Sequence, residues 1–238
     1  MINRIPSGIL NLDSLISGDE NGGIPENTVT LVYGPPKVGK SIFCYQFMLK
    51  GLQENEGCLF ISADYGIEQL NQNTSNFGLE LEKYFQDEKL YIIDTLSSVS
   101  GIQREDTPTY ISSSVHTPTD IMVKLGTGAR FIKSRTPKFR SILDSLTTLL
   151  AFNDEMLIVR VLTAYIMRLK ESGGTGIVTY TEGTADSKVE AMLKSIVDNI
   201  IRLDGEKITI EAMVGIGKKT SDYIVNEKGI ILDSSKSD

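Results

Sequence analysis

The stretch Thr30-Leu-Val-Tyr-Gly-Pro-Pro-Lys-Val-Gly-Lys-Ser-Ile-Phe-Cys44 decides the fold of this chain. Residues 29–33 are rich in β-formers and predict a buried strand, whereas the apolar residues between 42 and 52 recur near helical spacing and predict a helix. Between them lies Gly34-x-x-x-x-Gly39-Lys40-Ser41, the spacing of a phosphate-binding loop. We call residues 34–41 the P-loop. Its backbone N–H groups are expected to converge on a phosphate at the positive end of the helix dipole.

The P-loop residues predict a nucleotide and a magnesium ion as ligands. Lys40 is expected to reach the β- and γ-phosphates, which also makes it a catalytic candidate, and the Ser41 hydroxyl is expected to hold Mg²⁺. The nucleotide-binding residues predicted from the motif are Gly34, Pro35, Pro36, Lys37, Val38, Gly39, Lys40, Ser41 and Ile42.

The size and composition of the chain predict one soluble domain over residues 1–238. A chain of 238 residues can bury a core without disulfides or structural metals. It has no apolar run of 18 residues and no apolar segment typical of a signal peptide near its start, so we expect a cytoplasmic protein without a membrane anchor. Cys44 and Cys58 lie in apolar segments and are interpreted as buried free thiols.

The charge of the chain bears on its partners. A formal net charge of −7 argues against a broad nucleic-acid surface, because such a surface needs clustered cations to displace the counterions of DNA. DNA is therefore a disfavoured partner, although a local basic patch remains open.

Strands alternate with helices up to about residue 200, which predicts an α/β fold with a mainly parallel central sheet, helices on both faces and an antiparallel β extension at the C-terminus. Further strands are predicted at residues 58–63, 90–94, 139–144 and 176–180. Ligands of such sheets bind at the carboxyl ends of the strands. Asp64, Asp94 and Asp144 stand at three of these ends and are candidates to face the P-loop.

Other segments carry local predictions. Residues 1–27 form a lead-in with a turn, a short helix and a glycine-rich loop at 17–23, and residues 97–118 are predicted to be a long variable loop. Asn153 is predicted to cap a long helix, and Ser187-Lys-Val-Glu190 has the pattern of a capping box.

A P-loop needs a second carboxylate to hold Mg²⁺, and Asp144 fits best because it closes an apolar strand. With Asp144 followed by Ser145-Leu, the chain resembles the KaiC-like branch of the RecA/RadA superfamily of P-loop ATPases. The resemblance implies a RecA-like fold that binds ATP and Mg²⁺. It rests on these segments in order: Arg4-x-x-Ser-Gly8, Leu12-Asp13, Gly23-Ile24-Pro25, the P-loop, Leu90-Tyr-Ile-Ile-Asp94, Leu169-Lys170 and Gly229-Ile230.

Two departures from the family pattern predict weak turnover. The resemblance implies a pair of glutamates after the second strand, one of which polarises the attacking water, and this chain has Asp64-Tyr65 there. Asp64 is therefore the catalytic candidate, with a carboxylate one methylene short. The family also has a Lys-x-Arg pair that reaches the neighbouring subunit's nucleotide, and the matching residues here are Ala212 and Val214. Lys218 and Lys219 are the alternative source of charge.

Thr179 and Thr181 end the strand at 176–180. The resemblance implies that polar residues there sense the γ-phosphate, and ordinary β-propensity is an equally good explanation of both threonines.

The sequence thus predicts an ATP-binding protein that is a slow ATPase or nucleotide switch, with residues 97–118 reporting to an unidentified protein partner. The alternatives are an accessory factor in DNA recombination or repair and an ATP-binding scaffold without turnover. Because the Lys-x-Arg pair is missing, we expect a monomer or small oligomer, with a ring as the alternative.

Overall fold

A computed structural model describes residues 2–17, 22–78, 80–97, 99, 101–102 and 104–233. Its strands are β1 (Arg4–Ile5), β2 (Ile24–Pro25), β3 (Val29–Gly34), β4 (Gly57–Ser62), β5 (Leu90–Asp94), β6 (Tyr110–Ser112), β7 (Phe139–Asp144), β8 (Thr175–Thr181), β9 (Asn199–Leu203), β10 (Lys207–Ala212), β11 (Lys219–Asn226) and β12 (Gly229–Leu232). Its helices are α1 (Leu12–Ser17), α2 (Lys40–Gln53), α3 (Ile67–Ser75), α4 (Leu81–Gln86), α5 (Pro118–Lys133), α6 (Leu146–Phe152), α7 (Glu155–Glu171) and α8 (Ser187–Ile196).

Part of two predicted loops falls outside this description. Residues 18–21 of the glycine-rich loop at 17–23, and residues 98, 100 and 103 of the predicted loop at 97–118, lie outside the described residues.

The P-loop strand β3 lies in the middle of the main sheet. Among the described residues this sheet has the strand order β12-β11-β10-β9-β3-β8-β7-β4-β5-β6. The strands from β9 to β6 in that order pair in parallel, whereas β9 to β12 pair antiparallel. The predicted α/β architecture with a C-terminal antiparallel extension is confirmed.

Helices cover both faces of this sheet. Helices α1 to α4 contribute to the hydrophobic layer on one face, and α5 to α8 form the layer on the other. Along β3, Val32 faces the first layer while Leu31 and Tyr33 face the second. A strand that is buried on both sides reads as a continuous apolar run, which is why β3, β4, β5 and β7 are visible in the sequence. Cys44 and Cys58 are buried free thiols, as predicted.

The N-terminal lead-in packs beside the helix that follows the P-loop. Strands β1 and β2 pair with each other, so the lead-in folds back on itself. The buried guanidinium of Arg140 on β7 donates to the carbonyls of Pro6 and Phe47 and pairs with Glu56 at 2.7 Å. Because Phe47 belongs to α2, this one side chain fastens the lead-in to α2 from inside the core.

Two helix caps differ from the prediction. Helix α7 is capped by Asp154, whose carboxylate accepts from the Leu157 N–H, while the Asn153 amide donates to the carbonyls of Val115 and Leu149. Helix α8 is capped by Asp186, which accepts from the Lys188 N–H.

The predicted capping box at the start of α8 is therefore wrong. The Glu190 carboxylate accepts from the Tyr180 hydroxyl and the Gly183 N–H, so it is engaged with β8 and the loop after it. The predicted loop at 97–118 also contains the short edge strand β6, which is too brief to show in the sequence pattern.

Candidate functional site

The P-loop leaves the carboxyl end of β3 and enters α2. A Cβ on Gly34 would lie 1.8 Å from the Leu203 carbonyl oxygen of the neighbouring strand β9, so only glycine fits there. Gly39 has φ 101° and a Cβ there would meet the side chains of Val225 and Ile230 at 3.3 and 3.4 Å. Glycine adopts this backbone without strain. The two glycines of the motif thus allow the loop to turn tightly against β9 and β11.

Lys40 is the first residue of α2, and its ammonium lies over the P-loop. Nζ donates to the carbonyl oxygens of Pro35 at 2.6 Å and Gly34 at 3.1 Å. Burial lowers the pKa of Lys40, while the charges of Asp144, Asp64 and Glu182 act in the opposite direction. The charges of these three carboxylates therefore act on the Lys40 ammonium, whose N–H groups donate to the P-loop backbone.

Asp144 ends β7, two strands from β3 in the sheet order. Its buried carboxylate accepts from the Thr179 hydroxyl at 2.5 Å, and the nearby Ser41 hydroxyl acts to lower its pKa. Burial, followed by the charge of Asp64, raises the pKa of Asp144 to about 6. Ser41 and Asp144, which the sequence predicts as metal ligands, thus lie near each other.

The oxygen atoms at this position fit Mg²⁺. Among the described residues, no group of three or more His, Cys, Asp or Glu side chains could enclose a metal ion. Mg²⁺ is usually held by one or two carboxylates together with substrate phosphates and water, rather than by a cage of protein ligands. One buried carboxylate beside a serine hydroxyl at the start of α2 matches that mode.

Asp64 follows β4 and lies next to Asp144. Its backbone N–H donates to the Asp144 carbonyl at 3.3 Å. Its Oδ1 accepts from the Ser145 hydroxyl at 2.8 Å and from the Thr148 hydroxyl. The two carboxylates that the sequence proposed for metal binding and catalysis therefore share one end of the sheet, and two hydroxyl groups fix the orientation of Asp64.

Asp94 was the third strand-end candidate to face the P-loop, and it does not face it. In the described sheet three strands separate β5 from β3. The buried Asp94 carboxylate accepts from the Ile67 N–H at 2.9 Å, from the Ser97 N–H and hydroxyl, and from the Tyr110 hydroxyl. Asp94 therefore orders the start of α3 and the segment after β5.

The two threonines of β8 are used within the protein. The Thr179 hydroxyl donates to the Asp144 carboxylate and so fixes its orientation. The Thr181 N–H donates to the Thr147 hydroxyl at 2.8 Å.

The positions of the missing Lys-x-Arg pair lie at the end of β10 and in the turn after it. Val214 is exposed, and its backbone is held by the Arg4 guanidinium and the Asn199 side chain. Lys218 is exposed, whereas the Lys219 ammonium donates to the Ile16 carbonyl at 3.4 Å. Arg4 is thus a cation at this turn that the spacing of the sequence did not predict.

Other residues of the site were missed because their contacts are distant in sequence. The Glu182 N–H donates to the Gly34 carbonyl at 3.0 Å, its carboxylate pairs with Arg202 at 3.1 Å, and its charge reaches Lys40. Glu182 is one more acid that follows a strand, which is the signal that could have identified it. The Tyr223 hydroxyl donates to the Val38 carbonyl of the P-loop, and no sequence signal predicts this contact.

Comparisons with known proteins place this chain among a consistent set of relatives. A family model described as the KaiC ATPase matches residues 5–219. The UPF0273 protein PF1931 of Pyrococcus furiosus is 28% identical over 251 residues, covering 99% of this chain and 96% of that protein. The UPF0273 protein MJ1359 of Methanocaldococcus jannaschii is 31% identical over 211 residues, covering 86% of this chain and 81% of that protein.

Two further similarities extend this result. The circadian clock protein KaiC2 of Synechocystis is 25% identical over 95% of this chain, which matches 39% of the KaiC2 length. The crystal structure of the KaiC-like protein PH0186 from Pyrococcus horikoshii has a TM-score of 0.76 and 24% identity, and the match covers 98% of this chain and 100% of that one. That structure supports the fold. Within the described residues, no helix has the length and apolar character needed to cross a bilayer.

Proposed function

This chain belongs to the KaiC family of ATPases and is a nucleotide-binding ATPase domain of that family, and from this premise we propose that it binds Mg²⁺ and ATP at the P-loop and hydrolyses ATP slowly, as a nucleotide-dependent switch. One observation carries the proposal. The Ser41 hydroxyl and the Lys40 ammonium both lie near the buried Asp144 carboxylate, which Thr179 holds by a hydrogen bond, at the end of the sheet where α/β proteins bind ligands.

The residues of this site have separate roles in the proposal. Bound Mg²⁺ would neutralise charge on the phosphate oxygens as the γ-phosphoryl group leaves. Ser41 and Asp144 would hold the ion, and Thr179 fixes the Asp144 carboxylate by donating to it. Lys40 would transfer its donors from the carbonyls of Gly34 and Pro35 to the phosphates.

The length of the Asp64 side chain supports slow hydrolysis. Asp64 would orient the attacking water, but its carboxylate is one methylene shorter than the family's glutamate. The hydroxyls of Ser145 and Thr148 hold that carboxylate near β7. A displacement of about 1 Å can cost on the order of 10²-fold in rate, so a short and restrained carboxylate favours weak turnover.

The turn after β10 supports the same conclusion. Ala212 and Val214 offer no positive charge to a neighbouring nucleotide, and the Lys219 ammonium is directed at the α1 carbonyl of Ile16. A cation supplied in trans is worth roughly 10³ to 10⁵-fold in phosphoryl transfer. Unless the exposed Lys218 supplies such a charge, ATP would remain bound for long periods, which suits a switch.

A path from the site to residues 97–118 supports the switch. Asp64 is two residues from Gly66, and a Cβ on Gly66 would lie 2.5 Å from the Ser97 hydroxyl oxygen. Beyond this contact, Gly66, Ser97, Ile102 and Arg104 border a cavity of about 310 Å³. A movement of Asp64 toward bound nucleotide would therefore shift Ser97. Ser97 begins the segment 97–118, which is proposed to contact a protein partner.

Phosphate release from Mg·ATP, measured with and without single-stranded DNA, tests this function. We expect slow release by the unmodified protein, none above background by Lys40→Ala, and no response to DNA, because the net charge is −7. ATP binding without phosphate release would favour the scaffold without turnover. Salt-sensitive stimulation by DNA would favour the accessory role in recombination or repair.

A further inference from the structure

The C-terminal hairpin β11–β12 is hydrogen-bonded to the P-loop. The hydroxyl of Tyr223 on β11 donates to the Val38 carbonyl at 2.7 Å, and both groups are buried. The same hydroxyl accepts from the Gly205 N–H at 3.1 Å, in the turn between β9 and β10. Val225 and Ile230 of the hairpin fill the space beside Gly39. One face of the P-loop thus rests on the hairpin.

The Tyr223 hydrogen bond also sets the direction of the Gly39 N–H, because of the geometry of the peptide bond. The Val38 carbonyl and the Gly39 N–H belong to the same planar peptide unit and point in opposite directions across it. A hydrogen bond that fixes the carbonyl on the outer side of the loop therefore fixes the Gly39 N–H toward the inner side. P-loops bind phosphate through N–H groups that converge there. A hydrogen bond to the carbonyl also polarises the peptide and strengthens its N–H as a donor.

We propose that Tyr223 is a positioning residue for phosphate binding, because its hydroxyl orients the Val38–Gly39 peptide and so aims the Gly39 N–H at the nucleotide. This inference rests on the proposed function of the P-loop. The chain of donors runs from the Gly205 N–H through the Tyr223 hydroxyl to the Val38 carbonyl. The turn after β9 and the hairpin thereby become part of the phosphate site.

The hairpin is also attached to α2 through Gln46, independently of Tyr223. The positioning role of the Tyr223 hydroxyl can therefore be tested without detaching the hairpin from the rest of the protein. The Gln46 side chain of α2 accepts from the Ile230 N–H at 2.8 Å and donates to the Ile230 carbonyl at 3.1 Å. Tyr223→Phe keeps the buried ring and the Gln46 contacts and removes only the hydroxyl. Tyr165→Phe is the matched control, because Tyr165 is buried and donates to the Ser141 hydroxyl at 2.9 Å, in the middle of β7.

The test is the Kd of Mg·ATP and Mg·ADP for the unmodified protein, Tyr223→Phe, Tyr165→Phe and Lys40→Ala. We expect Tyr223→Phe to weaken both nucleotides by roughly five- to tenfold, the value of one ordinary hydrogen bond. Tyr165→Phe should bind as the unmodified protein does. In ¹⁵N-labelled, nucleotide-free protein, the Gly39 amide resonance should shift in Tyr223→Phe and not in Tyr165→Phe.

Four results would overturn the inference. An unchanged Kd and an unchanged Gly39 resonance in Tyr223→Phe, with binding lost in Lys40→Ala, would exclude the positioning role and leave the proposed function standing. Equal weakening by both tyrosine variants would indicate general destabilisation instead. If the unmodified protein bound neither nucleotide, the proposed function would fail and this inference with it. Should Tyr223→Phe fold poorly, Gly39 amide hydrogen exchange in the unmodified protein saturated with Mg·ADP decides: rapid exchange there would contradict an N–H that is aimed at the nucleotide.

Discussion

At the scale of single residues, the site depends on the difference between two neighbouring carboxylates. Asp144 is buried, accepts a hydrogen bond from Thr179 and lies near Ser41, which suits a ligand of a bound cation. Asp64 is held at one oxygen by Ser145 and Thr148, which leaves Oδ2 as the atom that would approach a water molecule. We therefore assign the same residue type two different roles in the proposal, because the surroundings differ.

The length of the Asp64 side chain gives a direct prediction. Asp64→Glu should raise the rate of ATP hydrolysis by about tenfold or more, because the longer side chain regains the reach that the family's glutamate has. Asp64→Asn should remove the activity. Steady-state phosphate release at saturating Mg·ATP measures both variants, and an unaltered rate in Asp64→Asn would show that Asp64 only ends a strand.

The buried state of Asp144 predicts a pH dependence of stability in metal-free protein. Its pKa is raised from 3.8 to about 6 in the folded protein, first by burial. Folding therefore favours the protonated form, and the stability that Asp144 contributes at low pH is lost as the pH rises from about 4 through 6. Asp144→Asn should raise the free energy of unfolding at pH 8 by roughly 2–3 kcal/mol.

Urea denaturation in the presence of a chelator checks this prediction at pH 8 and pH 5. The gain in Asp144→Asn should shrink at the lower pH, because the unmodified protein then carries a protonated Asp144. A gain that is equal at both pH values would contradict the assignment of the raised pKa to this carboxylate.

The sequence predicted the parts of the site that are encoded locally. The P-loop and the strand ending at Asp144 are short patterns, and the structure brings them together. Asp94 misled the prediction because every acid at the end of a strand looks alike until the strand order is known. Glu182 and Tyr223 contact the P-loop from positions 148 and 185 residues away, so only the tertiary structure reveals them.

At the scale of elements, β3 and β9 approach each other closely at Gly34. Gly34→Ala would place a Cβ 1.8 Å from the Leu203 carbonyl oxygen, and the backbone of β9 would have to move. We expect a loss of unfolding free energy of about 3 kcal/mol or more, at the upper end for overpacked positions.

The matched control for Gly34→Ala is Gly173→Ala. Gly173 also has a positive φ, 76°, but a Cβ added there would meet nothing within 4 Å. Gly173→Ala should lower the free energy of unfolding only by the strain of a left-handed backbone, about 1–2 kcal/mol. Equal losses in the two variants, measured by urea denaturation, would show that the contact between the strands is not what excludes alanine from position 34.

Elements were predicted better than their ends. Apolar runs located the central strands, since residues buried on both faces leave an unbroken pattern. The caps of α7 and α8 were each misassigned by one residue, to Asn153 and Ser187. Asp154 and Asp186 have capping chemistry similar to that of Asn153 and Ser187. Distant partners decide which residue caps the helix: the Val115 carbonyl, for example, accepts from the Asn153 amide.

At the scale of the whole molecule, KaiC-family ATPases bind nucleotide and can oligomerise, and the assembly of this chain stays a prediction. A head-to-tail interface closes a ring when the rotation between subunits allows it. Because Ala212 and Val214 lack charge, a ring would gain little catalysis here, and we expect a monomer or small oligomer. The prediction of one domain over residues 1–238 also stays untested.

Restoring the cations tests this reasoning. The double substitution Ala212→Lys and Val214→Arg should speed hydrolysis in proportion to the fraction of assembled protein, so the specific activity should rise with protein concentration. Val214 is exposed at 42%, which leaves room for the longer side chain. Light scattering on the unmodified protein is the companion measurement. A stable hexamer, with or without ATP, would show that assembly survives the loss of these charges.

The central claim is that the P-loop of this chain binds Mg·ATP, and thermal unfolding tests it most directly. A ligand that binds only the folded state at a hundredfold excess over its Kd adds about 2.7 kcal/mol. At roughly 2–4 °C per kcal/mol for a domain of this size, saturating Mg·ATP should raise the Tm by about 5–10 °C. Lys40→Ala should lose most of that rise. A Tm that does not change with saturating Mg·ATP in the unmodified protein would contradict the account.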